Sequence, residues 1–218
     1  MEFKKNLNTL IRENNGKYNA VDVCVDWFYS TLKDKKDKQV EYHPINKPFQ
    51  IGKIYKFKYQ PINKDLDFYD KFPIVFSLGR RKTSNGVVDI GINFNFLPYN
   101  VKIFFFTKMD SIFSSFIKNQ NINKFTKLNA IEQKPLPFKF EMIEHIFKNL
   151  GFEYAIRSYL PFKRKDTAVI SYENWNRVML IEEPKLIGIT QRRVVADYSK
   201  YLNEKVKINK NNKPSNKK

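Results

Sequence analysis

The fold is decided by three short segments in the first half of the chain: IGKIYKFKYQP at residues 51–61, FYDKFPIVF at residues 68–76 and DIGINFNFLP at residues 89–98. Apolar and polar residues alternate in the first segment, which is typical of a half-buried strand, and the second is more continuously apolar, which favours a central strand. The turn sequence GRRKTSNG at residues 79–86 predicts a hairpin between the last two strands. This order of strands and turns predicts an SH3-like small barrel.

Helical patterns flank the β segment on both sides. Amphipathic spacing predicts helices at residues 20–32, 100–117, 140–149, 152–159 and 194–202, and apolar runs predict returning strands at residues 168–172 and 177–182. In residues 20–32 strand-like alternation competes with the helical spacing, and the longer apolar set favours the helix. We therefore expect an α+β protein: an SH3-like small β-barrel flanked by helices, with a flexible basic C-terminal tail.

Composition and pattern divide the chain into five segments. We expect an N-terminal helical arm and loop at residues 1–49, the barrel core at 50–98, a helical insertion at 99–160, returning strands with a short helix at 161–203, and a disordered Lys-rich tail at 204–218. The last fourteen residues contain six Lys and no acidic residue, a composition that cannot form a core of its own.

The net charge of +18 is the main clue to partners, because it attracts polyanions over long distances. The excess comes from 32 Lys and only eight Arg, and Lys is the poorer residue for bidentate recognition of phosphate or guanine. We therefore expect any DNA contact to be non-specific. An AT-rich genome also favours Lys codons, so codon composition competes with function as the origin of the charge.

Cysteine content and hydropathy limit the class of protein. The single cysteine, Cys24, excludes an intramolecular disulfide and a Cys-cluster zinc site, and its Val neighbours predict a buried, inert thiol. The sequence contains no run of 18 apolar residues and no signal-like N-terminus. We expect no membrane or small-molecule partner and no cofactor, and a product that stays in the cytoplasm of the cell that makes it or leaves inside an assembled particle.

Several elements of the chain occur in an order that resembles a protein family. The residues that carry the resemblance are Tyr69, Asp70, Phe72, Pro73, Gly91, Asn93, Leu97, Pro98 and Trp175, together with the element Arg157-Ser-Tyr159-Leu160. They resemble a family of tailed-phage virion proteins whose members are sometimes labelled DNA-end protectors. The family usually has His where this chain has Asn95, which argues against catalysis or metal binding at that position. The resemblance implies a particle component, located in the host cytoplasm during assembly and then in the virion, and structural roles for these residues.

Three groups of basic residues are candidate contacts for a phosphate backbone or an acidic partner: Arg80, Arg81 and Lys82 in the hairpin, Lys163, Arg164 and Lys165 in a loop, and Arg192 and Arg193 before the last helix. The competing interpretation is that they are ordinary solvated side chains. The strand sequence Tyr55-Lys-Phe-Lys-Tyr59 resembles a stacking surface for single-stranded nucleic acid, but a half-buried strand gives the same alternation.

Evidence for enzyme chemistry is weak. Asp65, Asp67 and Asp70 have a spacing that could chelate a divalent ion for nuclease chemistry, but the simpler interpretation is that Asp70 caps the turn into the next strand. His43 and His145 lack the partners of a metal site or a catalytic triad. The glycines at 79 and 86 do not form a phosphate-binding loop.

We therefore predict a non-enzymatic structural component of a tailed-phage virion, in the neck, tail or baseplate, that docks neighbouring virion proteins in a symmetric multi-copy assembly. One alternative is a protein that binds DNA ends or packaged DNA non-specifically. The other alternative is a metal-dependent nuclease.

Overall fold

The computed structural model describes residues 2–33, 41–44, 47–61, 69–84, 86–119, 140–181, 186–190, 192–194, 196 and 199–200. The α-helices are α1 (Glu2–Glu13), α2 (Lys17–Lys33), α3 (Tyr99–Asn119), α4 (Phe140–Asn149) and α5 (Trp175–Leu180). The strands are β1 (Glu41–Tyr42), β2 (Ile54–Tyr59), β3 (Tyr69–Asp70), β4 (Ile74–Thr83), β5 (Gly86–Asn93), β6 (Ile156–Tyr159), β7 (Arg164–Ile170) and β8 (Leu186–Ile187). Within this part of the chain, no helix is both long and apolar enough to cross a bilayer.

The N-terminal arm is a pair of helices that share a sharp break. Asn15 and Gly16 have φ angles of 55° and 122°, a left-handed backbone that ends α1 and allows α2 to begin at once. The helical interpretation of residues 20–32 is confirmed. Ala20, Cys24 and Phe28 recur at helical spacing on the buried face of α2.

Six strands form one antiparallel sheet in the order β1-β7-β2-β4-β5-β6, and β3 pairs with β8 in a separate two-stranded sheet. The α+β class is confirmed, and so is the hairpin of β4 and β5. The SH3-like barrel is not: β1 and β6 lie at opposite edges, so the sheet stays open. The barrel prediction followed from short alternating strands, a pattern that strands of an open sheet also produce.

The open sheet is nevertheless strongly curved. β6 and β7 follow each other in the chain, but β5, β4 and β2 lie between them in the sheet. Four gaps between strands would span roughly 19 Å in a flat sheet, at about 4.8 Å each. The link from Tyr159 to Arg164 contains a 3-10 turn, Pro161–Lys163, and falls short of this distance because such turns rise only about 2 Å per residue. The sheet therefore curls until the end of β6 approaches the start of β7.

The two faces of the sheet are both covered. Helices α1, α2, α3 and α5 pack on one face, where aromatic rings of the sheet and of the helices form the main core. The concave face holds a smaller aromatic cluster made of Phe49, Tyr55, Phe57 and Tyr159, with the rings of Phe49 and Tyr55 stacked 3.9 Å apart. The link between β6 and β7 crosses this concave face, and Leu160 donates its backbone N–H to the hydroxyl of Tyr59.

This double burial corrects the prediction for β2, which was a half-buried strand. Lys56 is fully buried and its ammonium group lies 5.4 Å from the ring of Trp27 on the helix-covered side. Tyr55 and Phe57 have no exposed surface. The alternative of a stacking surface for single-stranded nucleic acid is therefore wrong, because the rings of Tyr55 and Phe57 are in the core.

Two predicted elements near the C-terminal half have the wrong type. Residues 152–159, predicted as a helix, form a 3-10 turn at Glu153–Ala155 followed by β6. Residues 177–182, predicted as a strand, lie mostly in α5, whose residues 178–180 are fully buried. Short apolar runs do not distinguish helix from strand, and tertiary packing decided both cases. The helix predicted at 194–202 is described only in part, and the tail at 204–218 lies outside the described residues.

Candidate functional site

The hairpin of β4 and β5 extends beyond the neighbouring strand β2 as a two-stranded ribbon. The register pairs Arg80 with Asp89 and Arg81 with Val88, whereas the pairing of β4 with β2 runs only from Ile74 to Phe76. Arg80, Arg81 and Lys82 are exposed on this ribbon. Three adjacent cations therefore project from one end of the sheet.

Asp89 joins this ribbon to the loop that contains the second basic group. Its carboxylate is completely buried; Arg80 donates from Nε to Oδ1 at 2.8 Å, and Nη1 of Arg164 lies 3.0 Å from Oδ2. The second contact is an ion pair without the alignment of a hydrogen bond. One carboxylate between two guanidinium groups leaves a net positive charge, so the junction stays basic.

Arg164 was predicted as a partner contact, and the structure places it in the interior instead. Its guanidinium group is fully buried, stacks 3.9 Å from the centre of the Phe49 ring, and donates to the carbonyl oxygen of Pro161. Burial lowers the pKa of Arg164, and the carboxylate of Asp89 opposes that shift. The side chain holds the loop against the sheet and is not available at the surface.

The 3-10 turn Pro161–Lys163 packs against β5 beside the ribbon. Phe162 is 61% exposed, and the ammonium group of Lys163 lies 5.8 Å from its ring centre. Lys165 is also exposed, and it lies opposite Lys58 in the register of β7 with β2. We call the surface formed by Arg80, Arg81, Lys82 and Lys163 the basic end.

The third predicted group, Arg192 and Arg193, follows β8, which pairs with β3 and not with the hairpin of the basic end. Both residues are exposed, and the next residue, Val194, is buried in the core beneath the helices. The structure therefore brings together the hairpin and the loop group but not this one. Sequence analysis missed Asp89, although a carboxylate inside the apolar run Val87-Val88-Asp89-Ile90 is a signal for a buried charged partner.

A second polar cluster surrounds Asp70. Its carboxylate accepts hydrogen bonds from the side-chain amides of Asn93 and Asn95, at 2.9 and 2.8 Å, and from the backbone N–H of Phe72 at 2.9 Å. Asn93 also contacts the hydroxyl of Tyr159 at 3.0 Å. Burial raises the pKa of Asp70, while these donors act in the opposite direction. The bond to Phe72 is the predicted turn cap.

This cluster gives no support to a nuclease. The carboxylate of Asp70 is 3% exposed and already has three donors. Asp65 and Asp67 lie outside the described residues. Among the residues that are described, no group of three His, Cys, Asp or Glu side chains is placed to hold a metal ion.

The Asp70 cluster forms one wall of a cleft of about 240 Å³. The cleft is lined by Tyr59, Tyr69, Asp70, Phe96, Ile156, Arg157, Ser158 and Tyr159. Arg157 stacks on Phe96, 5.3 Å from the ring centre, so its charge is held at the wall. The three segments that carried the sequence resemblance around residues 69–73, 91–98 and 157–160 thus meet at one place.

The contacts of His43, His145 and Cys24 are ordinary contacts within the fold. His43 contacts the carbonyl oxygen of Lys47 and the ring of Tyr55, and burial lowers its pKa. His145 is exposed on α4 and contacts the side chain of Asn149. Cys24 is fully buried, as predicted, and burial raises the pKa of its thiol to about 11.

Comparison with known proteins gives one match. Residues 1–208 match the model of a family described as phage T4 terminal DNA protecting protein. No curated protein and no solved structure matches the chain.

Proposed function

The chain belongs to the phage T4 terminal DNA protecting protein family, and from this membership we propose that it binds the ends of phage DNA and shields them from degradation. The structural observation that supports the proposal is the basic end, where the burial of Asp89 fixes two basic segments side by side. The predicted alternative of a DNA-end binder thus fits better than the main prediction of a structural virion component. Docking in a neck, tail or baseplate, and virion proteins as partners, remain predictions.

Electrostatics gives the first part of the mechanism. A net charge of +18 raises the local concentration of DNA and speeds association. The basic end then contacts backbone phosphates, and each phosphate that a cation neutralises releases condensed counterions. Lys82 and Lys163 act as point charges that follow the backbone without reading sequence. An end-binding protein needs this property because the sequences at DNA ends differ.

Fixed geometry gives the second part. A two-stranded ribbon fits the width of the major groove of B-DNA. Arg80 is only partly free, because its Nε donates to Asp89, and its side chain is 32% exposed. Arg81 and Lys82 alternate along β4 and so point to opposite faces of the ribbon, where they can reach phosphates on both sides of a groove.

Protection then requires no reaction by the protein. A protein that occupies the last base pairs denies an exonuclease access to the terminus for as long as it stays bound. The expected shielding is therefore stoichiometric, with one or more molecules at each end.

The test combines binding, salt and protection. We expect the protein to bind a blunt duplex of about 30 base pairs at 50 mM salt, and to slow its digestion by an added exonuclease. The variant Arg81→Gln/Lys82→Gln should reduce the slope of log affinity against log salt by about 1.8, since each lost phosphate contact removes about 0.9. Arg192→Gln/Arg193→Gln is the matched control, because it removes two exposed arginines that do not belong to the basic end.

Three results would count against the proposal: no binding at 50 mM salt, an equal loss in the control variant, or binding without protection. Degradation of the duplex by the pure protein with magnesium would instead favour the nuclease alternative.

A further inference from the structure

One exposed ring beside the basic end has no role in the fold. Phe162 is 61% exposed, although the described part of the chain buries most of its phenylalanines. A single exposed apolar residue is common and would need no explanation on its own. Phe162 differs from such residues because its backbone is restrained and it lies beside the basic end.

The backbone that carries Phe162 is fixed from three directions. Lys163 donates its N–H to the carbonyl of Leu160 at 3.0 Å, and Arg164 donates from Nε to the carbonyl of Pro161 at 3.2 Å. Arg164 is in turn paired with the buried carboxylate of Asp89. The proline at the start of the turn further restricts the chain. Little backbone entropy therefore remains to be lost when the ring contacts a partner.

The turn that carries the ring packs against β5, whose hairpin with β4 presents basic and exposed apolar side chains. Val87, on the strand that the turn packs against, is 49% exposed and pairs with Lys82 across the ribbon. Lys163 keeps a positive charge 5.8 Å from the ring centre. The partner that fits this surface offers a flat apolar face bordered by negative charges.

The end of a DNA duplex offers such a face. Inside a duplex every base pair is covered by its neighbours on both sides, but the last base pair exposes one face, with backbone phosphates at its edges. We propose that Phe162 stacks on the terminal base pair, while Lys163, Arg81 and Lys82 contact the adjacent phosphates. This inference rests on the proposed function and adds the feature of the DNA that the protein recognises.

Stacking on the last base pair makes the protein selective for ends without reading sequence. Every base has a face on which an aromatic ring can stack, so the contact tolerates any terminal base pair. The phosphate contacts are the same at an end and in the interior of a duplex, so only the ring distinguishes the two.

The test compares linear with covalently closed DNA. We would measure the affinity of Phe162→Ala, Phe162→Trp and the unchanged protein for two DNAs. One is a relaxed circle, and the other is the same circle cut once to give blunt ends. Phe104→Ala is the matched control, because Phe104 is 43% exposed on α3 and has a lysine ammonium, that of Lys108, at 5.7 Å. A 2-aminopurine in the last base pair of a short blunt duplex reports stacking directly through its fluorescence.

We expect Phe162→Ala to weaken binding to blunt ends by about 10-fold, equivalent to about 1.4 kcal/mol, and to leave binding to the circle unchanged. Phe162→Trp and Phe104→Ala should keep the affinity for ends. The unchanged protein should alter the fluorescence of terminal 2-aminopurine, and Phe162→Ala should not.

The inference is overturned if Phe162→Ala binds ends normally, or if it loses the same affinity for the circle as for ends. An equal loss of affinity for single-stranded DNA would likewise overturn it, because the ring would then stack on unpaired bases. In each of these cases the unchanged protein still binds DNA and the proposed function stands. Absence of binding to every DNA by the unchanged protein refutes the proposed function itself.

Discussion

The buried pair of Asp89 and Arg164 can be tested by removing one partner. In Asp89→Ala the guanidinium group of Arg164, which has no exposed surface, would keep its charge without a carboxylate beside it. Loss of one member of a buried ion pair typically costs about 3–5 kcal/mol. The lost contact to Arg80 adds less than about 1 kcal/mol, because that side chain is partly solvated.

We therefore expect Asp89→Ala to lower the free energy of unfolding by about 4 kcal/mol. For a chain of 218 residues, each kcal/mol lowers the melting temperature by about 2–4 °C, so the expected decrease is about 8–16 °C. Circular dichroism during heating measures the melting temperature. Lys58→Ala is the control: it removes the exposed ion pair of Lys58 with Asp166, 2.7 Å long, and should cost less than about 1 kcal/mol.

A double variant tests whether the unpaired charge of Arg164 causes the loss of stability. Asp89→Ala/Arg164→Met removes both charges and replaces the arginine by an apolar side chain of similar length, so no unpaired charge stays in the interior. We expect it to recover about half of the lost melting temperature, because buried ion pairs can be replaced by apolar residues at little cost. The reasoning is refuted if Asp89→Ala melts within about 3 °C of the unchanged protein, or if the double variant is no more stable than Asp89→Ala.

Three further predictions concern the core. Gly91→Val should abolish soluble protein, since even a Cβ atom there would lie 2.5 Å from a carbonyl oxygen of β4; Val87→Ile, at an exposed position of the same strand, should have no effect on yield. Asn93→Ala removes donors to Asp70 and should cost about 1–3 kcal/mol; an unchanged melting temperature would contradict the structural role of the cluster. The thiol of Cys24 has its pKa raised from 9.0 to about 11, so the unfolded chain releases that proton first as the pH rises. Stability should therefore fall more steeply between about pH 9 and 11 than it does in Cys24→Ala, in which the raised pKa values of Tyr59 and Tyr159 still act. Maleimide should label native protein at neutral pH far more slowly than unfolded protein.

Local patterns in the sequence were sufficient for much of the fold. The helices α2, α3 and α4 and the hairpin of β4 and β5 follow from periodicity and turn residues, which act over a few neighbouring positions. The resemblance and the basic groups also led to DNA-end binding, although only as an alternative. The short elements β6, of four residues, and α5, of six, were assigned the wrong type because tertiary contacts decide such short apolar runs.

The sequence by itself determined which residues are apolar, where turns fall and how much positive charge the chain carries. The tertiary structure alone decided that the sheet stays open but curls, because this depends on a short link that reaches between strands four places apart in the sheet. It also decided which cations are available. Arg164 and Lys56 are as basic as their neighbours in the sequence, but the curvature and the helix layer bury them, and Asp89, 75 residues before Arg164, fixes the turn that exposes Phe162. Contacts over such separations leave no periodic pattern in a single sequence.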